Sequence, residues 1–103
     1  MEDNLRFPFA DRLTGQSNYR AWRSYVQPML DAKDLWQYAN PEDPASSEPV
    51  AAEEALGSDK LKREWSKGNK TARAWLISTL APNIALMVSN YVTARDIWTF
   101  LDS

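Results

Sequence analysis

The chain has 103 residues, enough for a single domain, and its 44% hydrophobic and 25% charged residues are typical of a globular protein. It contains no Cys and no His, which excludes disulfides and thiolate metal sites and removes the usual acid–base catalyst, so we expect no enzyme, metal or cofactor. The net charge is −2, the N-terminus is acidic, and no apolar run reaches the roughly 20 residues of a membrane span, so we expect a cytoplasmic protein without membrane contact.

Residues 1–12 are predicted to form an extended arm that carries Phe7-Pro8-Phe9. A first helix should begin near Ser17 or Asn18, because either side chain can accept a backbone N–H bond at a helix start. Pro28 is expected to kink this helix, because proline removes one backbone hydrogen bond. Apolar residues at helical spacing form a stripe of Tyr19, Trp22, Val26, Met29 and Leu30.

A short second helix is predicted to follow, with Asp34 as its cap and Leu35 and Trp36 inside it. It should end before Asn40-Pro41. Residues 40–57 contain three prolines and a cluster of acidic residues without a basic one. This composition predicts a flexible acidic loop that acts as a solubilising linker.

The longest helix is predicted to run from Ser58 to about Thr79. Gly68 lies within its apolar stripe, where glycine costs about 1 kcal/mol relative to alanine, so we expect another helix to approach closely there. Trp75 lies near the edge of the stripe and is expected to be partly exposed, whereas the other tryptophans should be core residues. The stripe consists of Leu61, Trp65, Gly68, Ala72, Trp75, Leu76 and Thr79.

The opposite side of this helix is basic and could bind RNA phosphates. The acidic balance of the whole chain favours a solvated face instead, so RNA contact is the less favoured interpretation. The candidate RNA contacts are Lys60, Arg63, Lys67 and Lys70.

Two further helices complete the predicted fold, which is an all-α orthogonal bundle of about five helices. Pro82 suits the first turn of the fourth helix, where no N–H is needed. Thr93 to Asp96 has the form of a capping box that opens the fifth helix. The chain stops at Ser103 without a C-terminal cap, so we expect the natural protein to continue. The predicted apolar faces are Ile84, Met87, Val88 and Tyr91, then Ala94, Ile97, Trp98 and Leu101.

Two motifs in this order resemble copia-type retrotransposon Gag polyproteins. The first is Leu13-x-Gly15-x-x-Asn18-Tyr19-x-x-Trp22, and the second is Thr93-Ala94-x-x-Ile97-Trp98-x-x-Leu101. The resemblance spans residues 13–101. Its signature positions, expected in the core, are Leu13, Gly15, Asn18, Tyr19, Trp22, Met29, Leu35, Trp36, Trp65, Ala72, Thr93, Ala94, Ile97, Trp98 and Leu101.

This resemblance implies that residues 13–103 form the N-terminal lobe of a Gag capsid domain. Such a lobe would self-associate with other Gag copies, weakly when isolated, in virus-like particles that package the element's RNA. The zinc knuckle that such proteins often carry is not in this chain, which lacks Cys and His. The alternative is a host-domesticated copy that works as a peptide-binding module.

Apolar residues at the edges of the stripes, or off them, are candidates for an interface, because interfaces favour aromatic residues. Scattered exposed apolar residues are also normal on a protein surface, so both interpretations stay open. The peptide-binding alternative needs an apolar groove, which Phe7 and Phe9 of the arm would fill when no ligand is bound. The candidate interface residues are Phe7, Phe9, Tyr25, Trp75, Leu86 and Phe100.

Overall fold

A computed structural model describes residues 12–48 and 58–102 of the chain. The predicted arm, apart from Arg12, and residues 49–57 of the predicted loop lie outside these ranges. Within them the fold is an all-α bundle of five helices, as predicted. The helices are α1 Tyr19–Ala32, α2 Trp36–Ala39, α3 Ser58–Ser78, α4 Pro82–Val88 and α5 Ala94–Asp102, with short 3-10 helices at Gln16–Asn18 and Pro44–Ser46.

Helix α1 buries one narrow row of side chains. Trp22, Val26 and Leu30 recur every four residues and are almost fully buried. Met29 is 36% exposed, so its prediction as a core residue is wrong. The physical reason is that Met29 lies about 100° around the helix from Leu30, outside the row that faces the other helices. The helix continues through Pro28, which lies on the exposed side.

The capping prediction for α1 is wrong for Asn18. Its carboxamide oxygen accepts hydrogen bonds from the backbone N–H groups of Thr14 (3.0 Å) and Gly15 (3.3 Å), which precede the helix. Its carboxamide nitrogen donates to the carbonyl of Arg12 at 2.8 Å. Asn18 therefore fixes the turn that leads into α1 and does not satisfy the N–H groups of the helix itself.

Asp34 ends α1 instead of capping α2. Its φ angle is 61°, and the N–H groups of Asp34 and Leu35 donate to the carbonyls of Asp31 (3.0 Å) and Leu30 (2.8 Å). This pair of bonds is the Schellman arrangement, in which a left-handed residue closes a helix C-terminus. Aspartate tolerates the left-handed region better than most residues, so it can take the place of the usual glycine.

The first part of the predicted acidic loop has defined structure. Asp43 caps the 3-10 helix Pro44–Ser46 by accepting a bond from the N–H of Ala45 at 2.9 Å. The indole N–H of Trp65 in α3 donates to the carbonyl of Ala45 at 2.8 Å. The prediction of a flexible loop is therefore wrong for this part, because the 3-10 helix packs against α2 and is bonded to Trp65 of α3.

Two tryptophan predictions have opposite outcomes. Trp22 and Trp98 are core residues as predicted, with 1% and 2% of their surface exposed. Trp75 is only 6% exposed, so its predicted partial exposure is wrong. Lys33 just after α1 extends over the Trp75 ring, with its Nζ 5.8 Å from the ring centroid, and covers the edge of the stripe.

Gly68 is a point of close approach, as predicted. A Cβ atom placed on Gly68 would lie only 2.1 Å from the ring of Tyr38 in α2. The ring occupies the space that any larger residue would need, so α2 and α3 pack together through this glycine.

Replacing Gly68 with alanine should therefore have opposite effects in two backgrounds. In the wild type, we expect a loss of about 1 kcal/mol, because displacing the Tyr38 ring outweighs the helix preference of alanine. In a Tyr38→Ala background, the same substitution should stabilise by about 0.5–1 kcal/mol, because only the helix preference remains. Urea unfolding of the four proteins measures the coupling. Equal effects in both backgrounds would show that the contact is not tight.

Candidate functional site

The two motifs that carry the family resemblance meet in the core. Trp22 of α1 lies 5.6 Å from Trp98 of α5, measured between ring centroids, and Trp36 of α2 packs edge-on against Trp98 at 4.9 Å. The indole N–H of Trp22 donates to the hydroxyl (3.1 Å) and the carbonyl (3.2 Å) of buried Thr79. These residues hold α1, α2, α5 and the end of α3 together, so their role is structural.

The remaining signature residues differ in burial. Leu13, Leu35, Ala72, Ala94 and Ile97 are buried, whereas Gly15, Asn18, Tyr19, Trp36, Trp65, Thr93 and Leu101 are partly buried. Thr93 also caps α5 as predicted, because its hydroxyl accepts a bond from the N–H of Asp96 at 3.0 Å.

An apolar groove lies between the start of α1, α4 and the end of α5. Its volume is about 460 Å³, within the range of pockets that bind small molecules or short peptide segments. We call it the α1/α4/α5 groove. The lining residues are Leu13, Gly15, Gln16, Tyr19, Arg20, Ile84, Met87, Phe100 and Leu101.

A hydrogen bond and an ion pair join α1 to the end of α5 beside this groove. The hydroxyl of Tyr19 donates to the carboxylate of Asp102, and Arg23 forms an ion pair with the same carboxylate oxygen at 2.7 Å. Burial, followed by the hydrogen bond to Asp102, raises the pKa of Tyr19 to about 12. The phenol is protonated at neutral pH and donates to Asp102, and the raised pKa keeps it protonated in more alkaline solution as well. The guanidinium of Arg23 lies 5.6 Å from the centroid of the Trp98 ring.

The candidate interface residues occupy different environments. Tyr25 is 55% exposed and Leu86 is 75% exposed, as their positions off the stripes predict. Phe100 is partly buried and its ring lies 5.7 Å from that of Tyr91. Trp75 is buried and therefore cannot form an interface without rearrangement. The remaining two, Phe7 and Phe9, lie outside the residues that the structure describes.

The candidate RNA contacts form an exposed row on α3. Lys60, Arg63, Lys67 and Lys70 are all exposed. Nearby Arg73 is engaged within the fold, because it donates to the carbonyls of Tyr91 (2.6 Å) and Ser89 (2.8 Å). Exposure alone is compatible with both RNA binding and a solvated face, so RNA contact stays a prediction.

Sequence reasoning missed Asn69, which links α3 to the start of α5. Asn69 is 4% exposed. Its carboxamide oxygen accepts a bond from the N–H of Ala94 at 2.8 Å, and its nitrogen donates to the carbonyl of Val92 at 3.0 Å. The available signal was its spacing, since Asn69 falls between Trp65 and Ala72 on the apolar side of the helix.

No helix within residues 12–48 and 58–102 has the length and apolar character needed to cross a bilayer. The same residues contain no cluster of three or more acidic side chains that could hold a metal ion. Comparisons of the chain with protein-family models, curated proteins and solved structures gave no match.

Proposed function

We propose that this chain is a capsid-type lobe, similar to the N-terminal lobe of copia-type Gag, that works by associating with copies of itself. The packing of Trp22 and Trp36 on Trp98 supports this proposal. Trp22 belongs to the first motif and Trp98 to the second, so both motifs contribute to the same core cluster. On this proposal, residues far apart in the sequence are signature positions because they build the same core. If these residues serve the fold, the contacts that carry the function must be made by residues on the surface.

The exposed face of α4 is the best candidate for the contact between copies. Leu86 and Met87 are adjacent and are 75% and 56% exposed. Apolar side chains grouped on a surface are typical of interaction sites. In a closed assembly each contact is repeated by symmetry, so a weak pairwise affinity is sufficient to hold a particle together.

Replacing Leu86 with aspartate tests this proposal. We expect the sedimentation coefficient of the wild type to rise with concentration, as for a pairwise Kd of about 1 mM, or roughly −4 kcal/mol. Leu86→Asp should weaken the association at least about tenfold, because a charge would have to be buried in the contact. The measurement is analytical ultracentrifugation over a concentration series.

Val92→Asp is the matched control for this experiment. Val92 is 74% exposed, nearly the same as Leu86, but it follows α4 and lies outside that helix. Its substitution should leave the association unchanged. Identical concentration dependence in all three proteins, or a wild type that stays monomeric throughout, would contradict the proposal.

A peptide-binding module is a second candidate, and the α1/α4/α5 groove is the observation that favours it. The groove combines an apolar lining with one basic residue, Arg20, which lines it and is exposed. A short peptide with apolar and acidic residues would match this chemistry. On this interpretation the chain would be a domesticated Gag relative whose partners are other proteins.

A further inference from the structure

We propose that a polar pocket between α3 and the loop that joins α4 to α5 binds a nucleotide unit, that is, an aromatic base that carries a phosphate group. The volume of this pocket is about 600 Å³, within the range of sites that bind small molecules. Its walls come from Glu48, from α3 and from residues 89–92, and we call it the α3/loop pocket. Leu86 and Met87, which are assigned to the contact between copies, do not line it, so the inference stands apart from the proposed self-association.

The fold brings two aromatic residues from distant parts of the chain to this pocket. Trp65 of α3 and Tyr91 of the loop, which are 26 positions apart in the sequence, both line it and are partly buried. The Trp65 indole is held by its bond to the carbonyl of Ala45 at 2.8 Å, and the Tyr91 ring lies 5.7 Å from that of Phe100, measured between centroids. Rings fixed in this way lose little freedom when a flat base stacks on them.

Two cations line the same pocket. The guanidinium of Arg73 is fixed against the loop, because it donates to the carbonyls of Tyr91 (2.6 Å) and Ser89 (2.8 Å). These bonds use two of the five N–H donors of a guanidinium, so three remain for a ligand. Lys70 lies three positions earlier, on the same side of α3, and is exposed. A phosphate matches this pair well, because charge-assisted bonds to its oxygens are stronger than bonds between neutral groups.

The indole and the guanidinium lie at different positions along α3, which suits a ligand with two chemically different ends. Arg73 follows Trp65 by eight residues, or about 12 Å along the helix axis, and Lys70 lies between them. A base stacked on Trp65 therefore leaves room for its phosphate at Lys70 and Arg73. Because one sugar joins the base to the phosphate, a single nucleotide can engage both ends.

The polar remainder of the lining complements a base or a sugar. Among the described residues that line the pocket, Glu48 is the only acidic one. Its carboxylate accepts hydrogen bonds but repels a phosphate. Asn90 is exposed and offers an amide that both donates and accepts. The amino groups and hydroxyls of a nucleotide match these two side chains, whereas a ligand that carries only negative charge does not.

An acidic peptide is the main competing ligand, because it would use the same two cations. It would leave Trp65 and Tyr91 without a stacking partner and would bring further carboxylates towards Glu48. Every nucleobase, in contrast, has a flat π-face that aromatic side chains accept. The combination of rings and cations therefore favours a nucleotide over an acidic peptide.

A titration followed by NMR tests the site. Adenosine 5′-monophosphate (AMP), adenosine and inorganic phosphate are added separately to the full ¹⁵N-labelled chain at equal ionic strength. With AMP, we expect the indole N–H of Trp65 and the backbone N–H groups of residues 89–92 to shift, with a Kd on the order of 0.1–1 mM. Adenosine and phosphate should each bind at least about tenfold more weakly, because each supplies only one of the two kinds of contact. Equal affinity for AMP and either half, or no saturable shift with AMP, would overturn the proposal.

Two further probes identify the source of the nucleotide unit. If a single strand of eight adenylates binds more than about tenfold tighter than AMP and shifts the same resonances, the unit belongs to a polynucleotide. If its affinity is within about tenfold of that of AMP, the ligand is a free nucleotide, and both results support the site. A peptide of about eight glutamates that shifts the same resonances and binds tighter than AMP would assign the pocket to an acidic protein segment and overturn the proposal.

Neighbouring lysines of α3 provide a matched pair of variants. Lys70 and Lys67 are both exposed, so neither substitution disturbs the core, but only Lys70 lines the pocket. Lys70→Glu should weaken AMP binding at least about tenfold, because it reverses a charge beside the phosphate. Lys67→Glu changes the net charge equally and should alter the affinity no more than about twofold. Equal weakening in the two variants would show that only the overall charge matters and would contradict the site.

Tyr91 provides the corresponding test of stacking. Tyr91→Leu removes the ring but keeps an apolar side chain, and it should weaken AMP binding by roughly fivefold or more, the range for loss of a stacking ring. Tyr91→Phe keeps the ring and should retain wild-type affinity. Urea unfolding checks that both variants are folded, and a folded Tyr91→Leu variant with full affinity would overturn the stacking contact. If Tyr91→Leu does not fold, the exposed Lys70→Glu variant still decides the proposal.

Discussion

Replacing Trp98 with alanine is expected to lower the free energy of unfolding by about 3–5 kcal/mol, the range for deleting a large buried aromatic side chain. Trp98 is 2% exposed and contacts both Trp22 and Trp36. Its removal leaves a cavity where α1, α2 and α5 meet. Since small domains are stable by only about 5–15 kcal/mol, this single change should leave a substantial unfolded fraction in mild denaturant.

Two variants separate the role of the cluster from the general cost of losing an indole. Trp98→Phe keeps an aromatic ring in the cluster and should cost clearly less than alanine. Trp65 is partly buried, and its indole bonds the carbonyl of Ala45 instead of joining the cluster. Trp65→Ala should therefore also cost less. Urea unfolding gives the ranking, and equal losses for Trp98→Ala and Trp65→Ala would contradict the central place of Trp98.

Periodicity predicted the helices and the middle of the core because both depend on local geometry. Residues such as Trp22, Val26 and Leu30 lie on one side of any helix that contains them, whatever packs against it. Exposure at the edge of a stripe depends on the neighbours instead. Met29 and Trp75 both lie at the edge of a stripe, but Met29 is exposed and Trp75 is covered by Lys33. No pattern within a single helix distinguishes these two cases.

The groove could not be predicted, because its lining comes from three separate parts of the chain. Its position depends on the backbone pairing of Leu13 with Leu80, which joins the segment before α1 to the link between α3 and α4. The sequence indicated that Phe100 falls off its stripe and that a peptide-binding role would need an apolar groove, but it did not indicate which residues line one. The exposure of Met87, a residue predicted to face the core, is a consequence of the same opening.

The second large effect on stability is expected when Asn69 is replaced. Asn69→Ala should lower the free energy of unfolding by about 2–3 kcal/mol, because the N–H of Ala94 would be left buried without a partner. Ala94 is fully buried, so water cannot replace the lost bond without opening the contact between α3 and α5. The carbonyl of Val92, a residue that is 74% exposed, can be hydrated instead and adds less. Lys70→Ala, at the exposed neighbouring position, should change stability by no more than about 0.5 kcal/mol.

Asn69→Leu distinguishes whether Asn69 stabilises the fold through the hydrogen bonds of its amide group or through the volume of its side chain. Leucine has the same branching at Cγ and a somewhat larger volume, so a packing role would be largely restored by it. A hydrogen-bonding role would not be restored, and we expect the loss to remain close to that of Asn69→Ala. Hydrogen exchange at the N–H of Ala94 provides a local measurement, which should accelerate in both variants because the start of α5 opens more often. Wild-type stability and unchanged exchange in Asn69→Leu would show instead that Asn69 acts through its volume.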